Sequence, residues 1–290
     1  MAAGTSKGEV ILRPLAAEDV EAALALSVGA GWNQVAADWR VFLDLGEAFG
    51  LVAPGGALVG TACTLPYPPR VGWISMVIVD DAWRRRGLGS RLLDAAIEAL
   101  RTAGLTPLLD ATPLGRPLYL RLGFRDLWGF SRYAAEAPAR RGAGSEGAGV
   151  RPLAEGDWEA VVALDEAALG VRREALLRRL AARLPAAAWV AEGRAGLRGF
   201  VLGREGRTAS HLGPLVAGDP AVAAALLDAA FARVPGPMQV DVVDTQQVLQ
   251  THLEDLGFTS RRAFTRMALG EGDPLGRRPT LYAVAGPELG

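Results

Sequence analysis

Cysteine is almost absent from this 290-residue chain: Cys63 stands alone, so no internal disulfide can form. Histidine is nearly as scarce. The two present, His211 and His252, lie in the second half, so the first half cannot assemble a Ser-His or Cys-His nucleophile by itself. No Cys and His cluster of zinc-ligand spacing exists, and no metal is expected. Net charge is lacking too: 31 Lys and Arg against 32 Asp and Glu leave −1, which excludes an overall basic field for nucleic acid or an anionic membrane. No segment approaches the ~20 uninterrupted apolar residues of a membrane span, and MAAGTSKGEVILRP has no apolar core of signal-peptide length. These absences describe a soluble, cytoplasmic protein with no nucleic-acid or membrane partner, in which Cys63 is a small buried apolar residue.

What is present is enough apolar material for two cores, 50% of the residues. PARRGAGSEGAG, Pro138–Gly149, lacks hydrophobic periodicity and reads as a linker. Across it the chain repeats itself. RPLAEGDWEAVVAL (Arg151–Leu164) matches RPLAAEDVEAALAL (Arg13–Leu26) at nine of fourteen positions. LLDAA recurs at Leu92–Ala96 and Leu226–Ala230, and LGF at Leu122–Phe124 and Leu256–Phe258, in the same order. The expected organisation is therefore two copies of one domain, residues 1–137 and 150–290, joined by 138–149.

In the first copy VILRPL reads as a strand, Ala17–Ser27 and Ala37–Leu45 as helices, and FGLVA and ALVGTACTLPY as strands around the Pro54–Gly56 turn. WISMVIV, Trp73–Val79, is a fully buried strand, Ser90–Thr102 a helix, LTPLLDAT a strand and LYLRL a short helix. A strand pair is expected over Phe124–Tyr133. The class is mixed α/β.

Between WISMVIV and its helix stands RRRGLGS. Amides at a helix start have no intrahelical partner and the helix dipole makes that end positive, so anions bind there. Gly87 and Gly89 permit close backbone approach, and Arg84, Arg85 and Arg86 add charge suited to a pyrophosphate. Taken alone, the loop is either such an anion site or a turn with solvated arginines.

Its surroundings narrow the choice. Arg84, Gly87 and Gly89 match the R/Q-x-x-G-x-G/A signature of the GCN5-related N-acetyltransferases, here between a buried strand and an apolar helix. RPLYLRLGF, Arg116–Phe124, resembles that family's Tyr-containing helix followed by LGF. The resemblance implies tandem domains, each a central, mostly antiparallel sheet with a splayed strand pair flanked by helices. It implies acetyl-coenzyme A, with its pyrophosphate on Arg84, Arg85, Arg86, Gly87, Leu88, Gly89 and Ser90 and its pantetheine arm along Val77, Ile78 and Val79. It further implies acetyl transfer to the amine of a small molecule or peptide, with Tyr119 as general acid and a backbone amide near Val79 for the thioester oxygen. WISMVIV carries no Glu to serve as base. Asp110 is either that base or a turn cap. Trp32, Trp39 and Phe42 shape acceptor access or belong to the core.

Aligned on LLDAA, the second copy has Gly218, Ala221 and Ala223 where the first has Arg84, Gly87 and Gly89. Asp219 would repel phosphate and Pro220 lacks an amide. Leu253 stands at Tyr119. The second half thus resembles a degenerate acetyltransferase domain of the YitH type, in which Arg172, Arg173, Arg262 and Arg266 either bind an acidic substrate group or, as the safer reading, are solvated. A non-catalytic acetyl-coenzyme A sensor or partner-binding protein remains the alternative.

Overall fold

The structure is a computed structural model that describes residues 9–139, 149–271, 275 and 279–290; most of the expected linker, 140–148, lies outside them. The first half runs β1 (Ile11–Pro14), α1 (Val20–Gly29), α2 (Ala36–Leu45), β2 (Glu47–Val52), β3 (Leu58–Tyr67), β4 (Val71–Val79), α3 (Leu88–Thr102), β5 (Thr106–Ala111), α4 (Arg116–Arg121) and β6 (Phe124–Ala135). The second half repeats this order as β7 (Val150–Pro152), α5 (Trp158–Leu169), α6 (Glu174–Arg183), β8 (Trp189–Gly193), β9 (Gly196–Arg204), β10 (Ser210–Ala217), α7 (Pro220–Phe231), β11 (Met238–Val243), α8 (Gln247–Asp255) and β12 (Thr259–Leu269), then adds β13 (Leu281–Ala283).

The repeated sequence folds the same way twice. Arg13 grips Asp19 through two hydrogen bonds of 2.7 and 2.8 Å, and Arg151 grips Asp157 through two of 2.7 and 2.8 Å. In each copy the same carboxylate also accepts the backbone N–H three residues upstream, at Ala16 or Ala154, which organises the entry to the first helix. In α3, Leu88, Leu92, Leu93, Ala96, Ile97 and Leu100 form one buried stripe, and it packs on β2 to β5. Helices α1, α2, α5 and α6 share a core on the opposite side of the sheet, and α7 and α8 cover a third cluster.

The halves do not keep separate sheets. All thirteen strands form one sheet, ordered β1-β2-β3-β4-β5-β12-β6-β11-β13-β10-β9-β8-β7. The last strand of each copy crosses over: β12 pairs with β5, β6 pairs with β11, and β6 and β12 pair with each other. The strand pair expected over Phe124–Tyr133 is accordingly one twelve-residue strand, β6, because its partners come from the other half.

Phe130 and Phe264 lie opposite each other at the centre of the exchange, their rings stacked at 5.1 Å. About them the chemistry is reciprocal. Arg266 forms a bidentate pair with Asp110, both bonds 2.8 Å, and Arg132 forms one with Asp241, both 2.7 Å. Each arginine belongs to one half and each aspartate to the other. The Arg266 guanidinium lies 4.3 Å from the ring centres of both Trp73 and Trp128. Arg266 and Arg173 are thus not solvated as expected; both are buried, and Arg173 pairs with Asp165 at 2.8 Å.

Candidate active site

Strands β4 and β5 run parallel only over Val71–Trp73 against Thr106–Leu108, and then part. At the parting β4 bulges: Met76 takes φ 52°, and the pairing with β3 slips between Thr61 and Cys63. From the bulge to Val79 the edge of β4 that faces β5 has no strand partner, so its backbone groups open onto the cleft.

The Arg-rich loop lies at the far end of that edge. Gly87, with φ 74°, is the N-cap of α3, and Arg85 has φ 61°. Alternating left-handed residues turn successive N–H groups toward one concavity. The first intrahelical bond here is from Arg91 N–H to Gly87 O, which leaves the amides of the first turn for a ligand. A Cβ at Gly89 would touch only Val79 Cγ2, at 3.9 Å, so the space above those amides is open. Arg84 bonds Val79 O and pairs with Asp81, while Arg86 lies 4.7 Å over the Trp83 ring; the arginines are held at the rim rather than inside. These features fit a pyrophosphate and an extended arm.

Where β4 and β5 part, a cavity of about 430 Å³ opens, lined from both halves. Val77, Asp110, Tyr119 and Trp32 line it, as does the β4 bulge. Trp39 and Phe42 do not: they are buried in the α1/α2 core, 1% and 0% exposed, where Trp39 Nε1 donates to Ser27. Their spacing on α2 points both inward, which decides between the two readings in favour of core. Tyr119 packs on Phe124, and its hydroxyl forms no hydrogen bond to the described residues. Burial pushes its phenol above the usual range, so it stays protonated at neutral pH.

Asp110 is differently employed. Burial pushes its carboxyl up while Arg266 pulls it down, and both its oxygens are engaged by Arg266. It is a clamp between the halves, neither a free base nor a turn cap. The sequence reading also overlooked Gln34, Ser75, Arg132 and Glu288, all on the cavity wall. For Arg132 and Arg266 a signal was available: Phe-Ser-Arg at 130–132 and Phe-Thr-Arg at 264–266 stand equally far from the two LGF motifs.

The corresponding places in the second half are filled. β10 and β11 also run parallel, over Ser210–Leu212 against Met238–Val240, but β13 then inserts between them, pairing Leu215 and Val216 with Ala283 and Leu281, and Val242 with Ala283. At the start of α7 the Asp219 side chain accepts the Val222 amide at 2.9 Å and pairs with Arg198, so the protein supplies its own anion there. Asp219→Ala should lower stability by about 0.5–2 kcal/mol, as loss of an N-cap does, and leave acetyl-coenzyme A affinity unchanged. Paired thermal melts and calorimetry check both halves of that statement.

Among the described residues no helix is long and apolar enough to cross a membrane, and no group of three or more His, Cys, Asp or Glu side chains is placed to hold a metal.

Comparison with known proteins agrees with this architecture. The model of the acetyltransferase (GNAT) family matches residues 24–124, and that of an acetyltransferase (GNAT) domain matches residues 161–283. The uncharacterized N-acetyltransferase YitH of Bacillus subtilis (strain 168) is 28% identical over 246 residues, 83% of this chain and 85% of that protein. A putative acetyltransferase from Pyrococcus horikoshii superposes with a TM-score of 0.79 at 22% identity, covering 100% of this chain and 99% of that one. A tandem GNAT protein from the clavulanic acid biosynthesis pathway gives a TM-score of 0.62 at 17% identity, over 91% of this chain and 100% of that one. With one such domain recognised in each half and tandem relatives spanning nearly the whole length, the chain belongs to the GCN5-related N-acetyltransferase superfamily as a two-domain N-acetyltransferase.

Proposed function

We propose that this protein binds acetyl-coenzyme A in its first half alone and transfers the acetyl group to a primary amine held in the cavity between the halves. One contrast carries the reading: the groove from the α3 N-terminus along β4 to Tyr119 is open, whereas its counterpart in the second half is filled by β13 and capped by Asp219.

The bound thioester supplies an activated acyl carbon beside the cavity. The protein's own groups do the rest. Amides of the Arg84–Ser90 loop hold the pyrophosphate, and the open edge at Val77, Ile78 and Val79 aligns the arm as an added strand. The bulge shifts the donor for the thioester oxygen from the neighbourhood of Val79 to that of Met76 and Val77, where β4 faces the cavity. Tyr119, protonated and without a competing partner, gives its proton to the leaving sulfur. Trp32, which lines the cavity, takes part in acceptor access. The second half serves as the other wall of the acceptor cavity.

Tyr119→Phe tests the acid. Acetyl-coenzyme A should bind as before, while transfer to amines falls about 100-fold, the lower end of the range for a lost acid–base group. Calorimetry follows the first quantity and thiol release the second. Unchanged transfer would remove Tyr119 from the chemistry, and tight binding without transfer to any amine by the unmodified protein would favour a sensor.

A further inference from the structure

We propose that the second half also supplies the group that binds the acceptor's ammonium and takes its proton: Glu288 through Oε2, assisted by Gln34 Oε1 and Ser75 Oγ. This rests on the acetyltransferase reading above.

Three acceptor atoms on residues that line the cavity want donors. Gln34 and Ser75 are only 7% and 8% exposed, yet Gln34 Oε1 and Ser75 Oγ have no hydrogen-bond partner among the described residues. Glu288, 4% exposed, receives Gln34 Nε2 at 2.8 Å and Arg204 on the same oxygen, Oε1; its Oε2 receives no hydrogen bond from the described residues. A carboxylate only accepts, so Gln34 must turn its NH₂ to Glu288, which leaves the amide oxygen on its other side. A primary ammonium has three N–H donors and one positive charge, matching three free acceptors of which one is anionic. A neutral ligand would leave the charge unmatched, and an anion would face the free carboxylate oxygen. Asp110 cannot do this work, since Arg266 holds both its oxygens.

The fixed charges around Glu288 hold near neutral pH. Arg204 on β9 is held on its other side by Asp38 of α2, at 2.8 Å, and Asp38 also pairs with Arg183 of α6. Arg132 on β6 is neutralised by Asp241 on β11. His211 on β10 is pushed down to about 4 by burial, so it stays uncharged around pH 7. Glu288 is therefore positioned as the proton acceptor. One N–H proton passes to Oε2, the freed lone pair forms the C–N bond, and the C–S electrons leave on sulfur, which Tyr119 protonates. Of the three ammonium protons one stays on the amide nitrogen, one restores Tyr119, and the one taken by Glu288 goes to solvent.

Two small amines test this without knowledge of the physiological acceptor. Butylamine is an ammonium at pH 7 and hydroxylamine is largely neutral. Glu288→Gln keeps the volume and an oxygen for Arg204, and its unchanged affinity for acetyl-coenzyme A would show an intact fold. Butylammonium, titrated by calorimetry, should bind the unmodified protein and bind Glu288→Gln at least about tenfold more weakly; tetramethylammonium, which has charge but no donors, should bind neither. Ser75→Ala should weaken butylammonium binding without touching the Arg204 pair. Acetyl transfer to butylamine should fall about 100-fold in Glu288→Gln at pH 7, the deficit shrinking as pH rises and free amine accumulates, while transfer to hydroxylamine is unchanged. Equal losses on both amines, or no loss on butylamine, would overturn the role of Glu288 and leave the acetyltransferase reading standing. Failure of the unmodified protein to acetylate either amine would overturn both.

Discussion

Valine in place of Gly89 is expected to abolish acetyl-coenzyme A binding while leaving the protein folded. Gly89 lies in the first turn of α3, and an added Cβ there meets nothing of the protein closer than Val79 Cγ2, at 3.9 Å. The fold has no need of glycine at this position beyond a small helix-propensity effect that favours replacement. A branched side chain would instead stand where a phosphate must approach the amides of the turn. The affinity should drop at least 100-fold, about 2.7 kcal/mol, measured by calorimetry on a variant whose melting temperature is unchanged. Gly218→Ala, at the position aligned with Arg84, is the control in the second loop. Its Cβ would meet only Arg198 O, at 3.5 Å, and should leave both affinity and stoichiometry as they are. Ala223, the residue aligned with Gly89, is no control, because it is 0% exposed in the core under α7 and enlarging it would disturb packing. One coenzyme per chain is expected. A stoichiometry near two, or retained affinity in Gly89→Val, would place the pyrophosphate elsewhere.

Arg266→Met should be the most destabilising of the changes considered, by about 3–5 kcal/mol, because it strands the buried Asp110 carboxylate without its partner. Arg266 and Asp110 are both 0% exposed as side chains, so the carboxylate loses its charge partner where it has little access to water. The sandwich of Arg266 between Trp73 and Trp128 goes with it, although methionine fills part of the volume. Adding Asp110→Leu should restore much of the loss, since a pair replaced by apolar groups is far less costly than a pair broken. Urea titration followed by tryptophan fluorescence reads the midpoints. Because β6 and β12 are exchanged, neither half can leave the sheet alone, and one transition is expected. A shift under about 1 kcal/mol for Arg266→Met would show that the pair is not what joins the halves.

Much of the candidate site is local and was therefore legible. The loop of Arg84, Gly87 and Gly89, the helix with Tyr119, and the duplicated Arg–Asp entry to α1 and α5 all depend on residues within a few positions of each other. The change in the second loop was legible for the same reason: Asp219, which accepts the Val222 amide at the head of α7, is a matter of one residue. The acceptor side was not. For Trp39 and Phe42 the sequence left access and core both open, and only the packing of α2 on the sheet put them in the core.

By itself the sequence determined the duplication, the order of elements in each half, and that the first half alone keeps Arg84, Gly87 and Gly89 at its helix start. Tertiary structure alone decided that the last strands trade places, that Asp110 serves as a clamp, that β13 fills the second cleft, and that Glu288 meets Gln34 from 254 positions away. The physical reason lies in how each feature is encoded. Helix starts, turns and periodic apolar stripes are written in short-range spacing, whereas strand exchange and buried ion pairs are set by which distant edges and charges satisfy each other once the sheet has formed.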